Sequence, residues 1–120
     1  MSSLGTAYVL PSTVETATFN SGDIALDSQT DALALYLNIS AISGAGAQAV
    51  VTIDAKMPDG NYFNCFTSAA LSAVAKTIAY IGPALPVNVL IAPEIRVSVA
   101  ISGTTPSISL SITLEAHDNS

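Results

Sequence analysis

Between Glu94 and Ala116 the chain alternates almost without interruption, and this alternation restricts the fold more than any other feature. Ile95, Val97, Val99 and Ile101 are branched and apolar, whereas Arg96, Ser98 and Ala100 take the other parity. After Ser102-Gly103-Thr104-Thr105-Pro106 the pattern resumes, with Ile108, Leu110, Ile112 and Leu114 on one parity and Ser107, Ser109, Ser111, Thr113 and Glu115 on the other. Successive side chains of a strand point to opposite faces, so each segment offers an apolar face to a core and a small polar face to water or a neighbour. The Gly/Pro connection between them predicts a hairpin.

The same period recurs upstream. Leu33, Leu35, Leu37 and Ile39 share one face, with Ala34, Tyr36, Asn38 and Ser40 opposite; Ser43–Ala47 connects, and Ala49–Lys56 returns as the second arm of another expected hairpin. Ala7–Leu10 suits a short edge strand that Pro11 stops, because proline lacks the N–H a ladder needs. Val14–Phe19 is a further short segment, ended by the turn residues Asn20-Ser21-Gly22-Asp23. Pro58-Asp59-Gly60 predicts a tight turn before the aromatic strand Tyr62–Phe66. Thr67–Ala75 reads as loop or short strand, Lys76–Ile81 alternates again, Gly82–Pro86 is a surface crossing, and Val87–Ala92 is extended. About eight short strands and no helix predict an all-β, single-domain antiparallel β-sandwich or jelly-roll-like fold. The expected organisation is an N-terminal arm at 1–13, a β-sandwich domain at 14–116 and a polar tail at 117–120.

Composition bears on partners. Charged residues are only 10% of the chain although half of it is hydrophobic, against about 25% charged in ordinary domains. A surface so poor in charge predicts an oligomer, or a subunit whose Ser, Thr and Ala faces press against neighbours. Net charge is −6, with Lys56, Lys76 and Arg96 the three cations. Displacing counterions from phosphates takes clustered Lys and Arg, so neither nucleic acid nor an anionic membrane surface is an expected partner. Met1–Gly5 has no basic or apolar leader character, so no signal peptide is expected. Nor does any run approach the roughly 18 apolar residues of a spanning helix. Synthesis in a cytoplasm follows as the expectation.

Candidate chemical sites are weak. The single Cys65 allows no internal disulfide and no metal-ligand spacing, and reads as a small buried hydrophobe. His117, the only histidine, stands beside Asp118 in the expected tail, and no serine lies in a Gly-x-Ser-x-Gly context, so a Ser-His-Asp arrangement is not expected. Asp23, Asp27 and Asp31 recur every four residues, but an extended chain would spread them over more than about 20 Å, too far for a calcium site. Asp54 and Glu115 could form a glycosidase pair by chemistry alone; nothing in the sequence brings them together. Asn38-Ile39-Ser40 matches the glycosylation sequon inside a predicted strand, a chance match. Tyr8, Tyr36, Tyr62, Phe63, Phe66 and Tyr80 suit core packing or subunit contact better than a sugar platform, which usually includes Trp. No enzyme, cofactor or metal is expected.

Several stretches together resemble a family of small virion proteins of tailed bacteriophages. They are Thr16–Asp23, the apolar strand 33–42 ending in Ile39-Ser40-Ala41-Ile42-Ser43-Gly44, Val51–Lys56 with Pro58–Phe63, Thr67–Ala70, Ile81-Gly82-Pro83, and Ile95–Val99 followed by alternating Ser and apolar residues. The resemblance covers about residues 16–114 and implies a β-sandwich capsid decoration, or cement, protein. Such a protein forms homotrimers on the outer shell, binds the major capsid protein and resides on the capsid surface. Contact residues are not fixed by the resemblance; the arm residues Tyr8, Val9 and Leu10, with an exposed parity of the edge strands, are the expected ones. A neck, tail-tube or baseplate component is the alternative, and a glycan-binding β-sandwich module a more distant one.

Overall fold

The computed structural model describes residues 2–26, 30, 32–81 and 94–118. Six strands, each antiparallel to its neighbours, account for most of them: β1 (Ser2–Glu15), β2 (Phe19–Ala25), β3 (Ala32–Lys56), β4 (Tyr62–Thr67), β5 (Ala75–Ile81) and β6 (Glu94–Asp118). No helix occurs among the described residues.

β3 and β6 hold 25 residues each and pair with one another from Ala32↔His117 to Lys56↔Glu94. Straight strands of that length would span about 80 Å at roughly 3.3 Å per residue, yet the longest dimension of the molecule is 43 Å. Both strands therefore fold over midway, where the register slips between Ser43 and Ala45 and again between Ala45 and Gln48. Gly44 and Gly103 make the corner. Their φ angles are +108° and +121°, a region in which a Cβ is strained. A Cβ on Gly44 would lie 2.8 Å from the carbonyl oxygens of Thr104 and Thr105, and one on Gly103 would lie 2.7 Å from the Cα of Ala47.

The corner divides the sheet into two layers. In the first, the order is β1, the second half of β6, the first half of β3, then β5; in the second it is β2, the first half of β6, the second half of β3, then β4. With each half counted separately the layers read 1-8-3-6 and 2-7-4-5, an eight-stranded jelly roll. Leu33, Leu35, Ile39, Ile108, Leu110, Ile112 and Leu114 of the first layer meet Val51, Ile53, Ile95, Val97 and Val99 of the second in one continuous core. Full burial of a side chain of this kind contributes about 1.5–3 kcal/mol.

The all-β sandwich is as expected, but its pairing is not. Neither expected hairpin forms: 95–101 pairs with the second half of β3 and 107–115 with the first half, so Ser102–Pro106 carries the chain over the corner instead of reversing it. Crossing to the other layer sets the two apolar faces of β6 against each other's layer and buries both. Residues 2–13 of the expected arm belong to β1, an edge strand along β6, and Pro11 is absorbed by a register shift between Leu10 and Thr13. The strand expected at Val14–Phe19 instead contains the β1–β2 connection. Asn20–Asp23 does not end a strand; it forms a bulge inside β2, where the Gly22 N–H donates to Asn20 Oδ1 at 2.8 Å. Pro58-Asp59-Gly60 does turn, with the Gly60 N–H donating to the Met57 carbonyl at 2.9 Å. Within Thr67–Ala75, Leu71 bridges to Ala49. His117 and Asp118, expected in a fraying tail, end β6. The readings on Gly82–Pro86, Val87–Ala92, Asp27, Asp31 and the last two residues lie outside the described residues.

Candidate functional site

With the apolar parity turned inward, whatever the molecule offers to others lies on the outer parities, and the two layers differ there. On the second layer the bulge in β2 leaves Ile24 in the core and Asp23 outside, directly opposite Arg96; Arg96 lies opposite Asp54, and Asp54 opposite Asn64. A polar ladder thus crosses all four strands. Lys56 Nζ lies 2.8 Å from Asp23 Oδ2, and the Tyr62 hydroxyl donates to Asp23 Oδ1 at 2.6 Å. The Arg96 guanidinium stacks 3.8 Å above the Tyr62 ring and reaches Asp54 at 3.6 Å. Asn64 Nδ2 donates to Asp54 Oδ1 at 3.3 Å.

The electrostatics follow from these contacts. Hydrogen bonding from Lys56, then from Tyr62, holds the Asp23 carboxyl below its ordinary value. The same bonds push Lys56 and Tyr62 up, since each loses its interaction with the carboxylate when it loses its proton. Such a network neutralises its own charges, two carboxylates against two cations. Half-buried Cys65, on β4, is pushed up to about 11 by desolvation and is no nucleophile at neutral pH.

The outer face of the first layer is bare by contrast. Ile78 of β5, Tyr36 of β3, Thr113 of β6 and Val9 of β1 stand in one row across the four strands. Ile78 is 73% exposed, Val9 55% and Tyr36 40%. Beside the row, Tyr36, Asn38, Lys76, Ile78 and Ser111 line an open cleft of about 200 Å³. Lys76 is exposed and makes no ion pair among the described residues.

The residues singled out from sequence are dispersed over this frame. Val9 is outward, but Tyr8 and Leu10 take the inward parity and pack against the core, so the three do not form one contact patch. Burial, with the Glu15 charge second, pushes the Tyr8 phenol up. Asp54 and Glu115 lie on the outer faces of opposite layers, separated by the core. Glu115 instead lies 2.9 Å from His117 Nε2, and the histidine side chain is only 14% exposed, not solvated. Asn38 is half-buried between Lys76 and Ser111 in register. Among the described residues no three acidic, His or Cys side chains are grouped to hold a metal ion, and no helix is long and apolar enough to cross a membrane. Sequence reading missed both rows, whose members come together only through the register of distant strands.

Fold and surface define a jelly-roll sandwich with one self-neutralised face and one bare face. No family model matches the chain, and no curated protein matches it. Among solved structures, a chain in "Structure of infectious bursal disease virus Gx strain" is similar, with a TM-score of 0.51 and 18% sequence identity over 96% of this chain and 31% of that one. At this identity the likeness is one of fold, and the chain spans less than a third of that viral chain's length.

Proposed function

We propose that the chain is a structural component of a virion, and within that class a decoration protein that docks on the outer surface of a major capsid lattice and stabilises the shell. The observation that carries this reading is the outer face of the first layer: a four-strand row with Ile78, Tyr36 and Val9 exposed, in a chain only 10% charged. Large apolar side chains left exposed in one row, with little charge around them, favour a contact site over a solvated face. The jelly-roll order, a scaffold common in viral shells, the fold shared with a chain of a virus structure, and the resemblance of residues 16–114 to phage virion proteins support the same reading. Repeated over a lattice, individually modest contacts act together through avidity.

The test is the molar ratio of this protein to the major shell protein in purified particles, by quantitative mass spectrometry. A ratio near one, or a simple large fraction of it, is expected. A ratio of a few per cent would move the protein to the neck, tail or baseplate, and absence from particles would overturn the virion reading.

A further inference from the structure

We infer that the bare outer face of the first layer is a self-association surface, occupied by a second copy of this chain across a two-fold axis. The inference rests on reading that face as a contact site of a virion component, and it assigns the face to contact between copies, which leaves the other surfaces of the sandwich to meet the shell.

The register makes the face self-complementary. On β5, Lys76 lies one strand from Tyr36 and two residues along, opposite Asn38; on β6, Glu115 lies one strand away on the other side and two residues back, opposite Ala34. Tyr36 is therefore the midpoint of the diagonal from the cation to the carboxylate, each about 7–8 Å away by ordinary sheet spacing. A two-fold axis lying in the face and crossing Tyr36 at right angles to that diagonal exchanges its two ends. Lys76 of each copy then meets Glu115 of the other, and the two Tyr36 rings meet between them. Interfaces of this isologous kind form when one patch complements itself under a two-fold axis.

Each group is placed to take part. Lys76 is exposed and has no ion pair among the described residues; the Glu115 side chain, in contact with His117, keeps 30% of its surface open. Ile78, 73% exposed beside Tyr36, supplies the apolar centre. On the opposite face both cations, Lys56 and Arg96, already face carboxylates of the same chain, whereas Lys76 faces none among the described residues. Four strands about 4.8 Å apart and about eight residues long give roughly 500 Å² per copy. About 1,000 Å² in total is at the lower limit for a specific interface, the size class of weak and transient contacts.

Sedimentation velocity on the full chain alone, from about 1 to about 500 µM, tests this. A reversible monomer–dimer equilibrium is expected, abolished by Ile78→Asp. Lys76→Glu and Glu115→Lys should each weaken it at least tenfold, and the double variant Lys76→Glu/Glu115→Lys should restore it, a rescue that misfolding cannot mimic. A monomer throughout the range overturns the inference. So does a dimer indifferent to these substitutions, or a trimer, which would return the three-fold arrangement implied by the family resemblance. Because no particle is involved, the result is separable from the virion reading. If the chain is abundant in particles yet monomeric alone, the decoration reading stands and this face belongs to the shell.

Discussion

Replacing Gly103 by alanine tests the corner on which the jelly roll depends. At φ +121° an alanine sits outside the left-handed basin, a strain of about 1–3 kcal/mol. Its Cβ would also lie 2.7 Å from the Cα and 2.8 Å from the N of Ala47. These are backbone atoms of the crossing strand, so relief requires the strands to separate, adding about 1–3 kcal/mol as overpacking does. The total is about 4 kcal/mol. Gly46→Ala is the internal control, since Gly46 has φ +68° and nothing within 4 Å of a built Cβ, so only a left-handed penalty of about 1 kcal/mol applies. Both substitutions restrict the unfolded chain equally, and that contribution cancels in the comparison. With a urea dependence of about 1.5 kcal/mol per molar, the midpoints of the two variants should differ by about 2 M. Urea unfolding at one fixed protein concentration, followed by far-UV circular dichroism, reads this directly. Equal midpoints would refute the close approach of β3 and β6 and the two-layer crossing built on it.

Two further outcomes follow from the polar side chains. Asp23 is held below its ordinary 3.8 in the folded chain, so it stabilises the fold above its unfolded value, and that stabilisation is lost as pH falls from 3.8 through the lower folded value. Asp23→Asn should flatten the fall of the urea midpoint below pH 3.8; an unchanged acid limb would mean that the Lys56 and Tyr62 contacts do not hold in solution. Burial raises the Cys65 thiol to about 11 from 9.0, cutting the thiolate fraction about a hundredfold, partly offset by greater nucleophilicity, for a net slowing of about tenfold. Iodoacetamide labelling at pH 8 should therefore be about tenfold slower in the native chain than in urea, and equal rates would place Cys65 in open solvent.

How far the sequence discloses this molecule depends on whether a feature is local. The period of two at Leu33–Ile39 and at Ile108–Leu114 marks strands and their inward faces, and those residues form the core. Between Val99 and Ile108 the inward parity changes from odd to even, the trace in sequence of a strand passing from one layer to the other. Gly103 and Pro106 carry the same chemistry in a reversing turn, so composition alone reads that passage as a hairpin. Which strand pairs with which is set by burial of both layers at once, and no window of sequence contains that. Val9 against Tyr8 and Leu10 shows the same limit at the scale of a residue. Their alternation is plain, but β1 shifts register at three places along β6, and only the paired strand says which parity faces out.

The distribution of cations decides which face stays open. Lys56 and Arg96 are far apart in sequence, yet pairing of β6 with β3 and β3 with β4 gathers them with Asp23, Asp54 and Tyr62 on one outer face. A face whose charges are matched within the chain gains little from a partner, because docking would desolvate groups already satisfied. That leaves Lys76 as the third cation, on the other outer face among Tyr36, Ile78 and Thr113. Docking there desolvates one unpaired cation, and a carboxylate from the incoming surface compensates it. Inward residues such as Leu35, Leu37 and Ile112 sit on the same strands at alternate positions and are 1–3% exposed. A side chain changed at Tyr36 or Ile78 therefore alters the outer surface while the core behind it is untouched. The strand period separates the core face of these strands from the outer face to which we assign assembly, so the outer face can vary without loss of the fold.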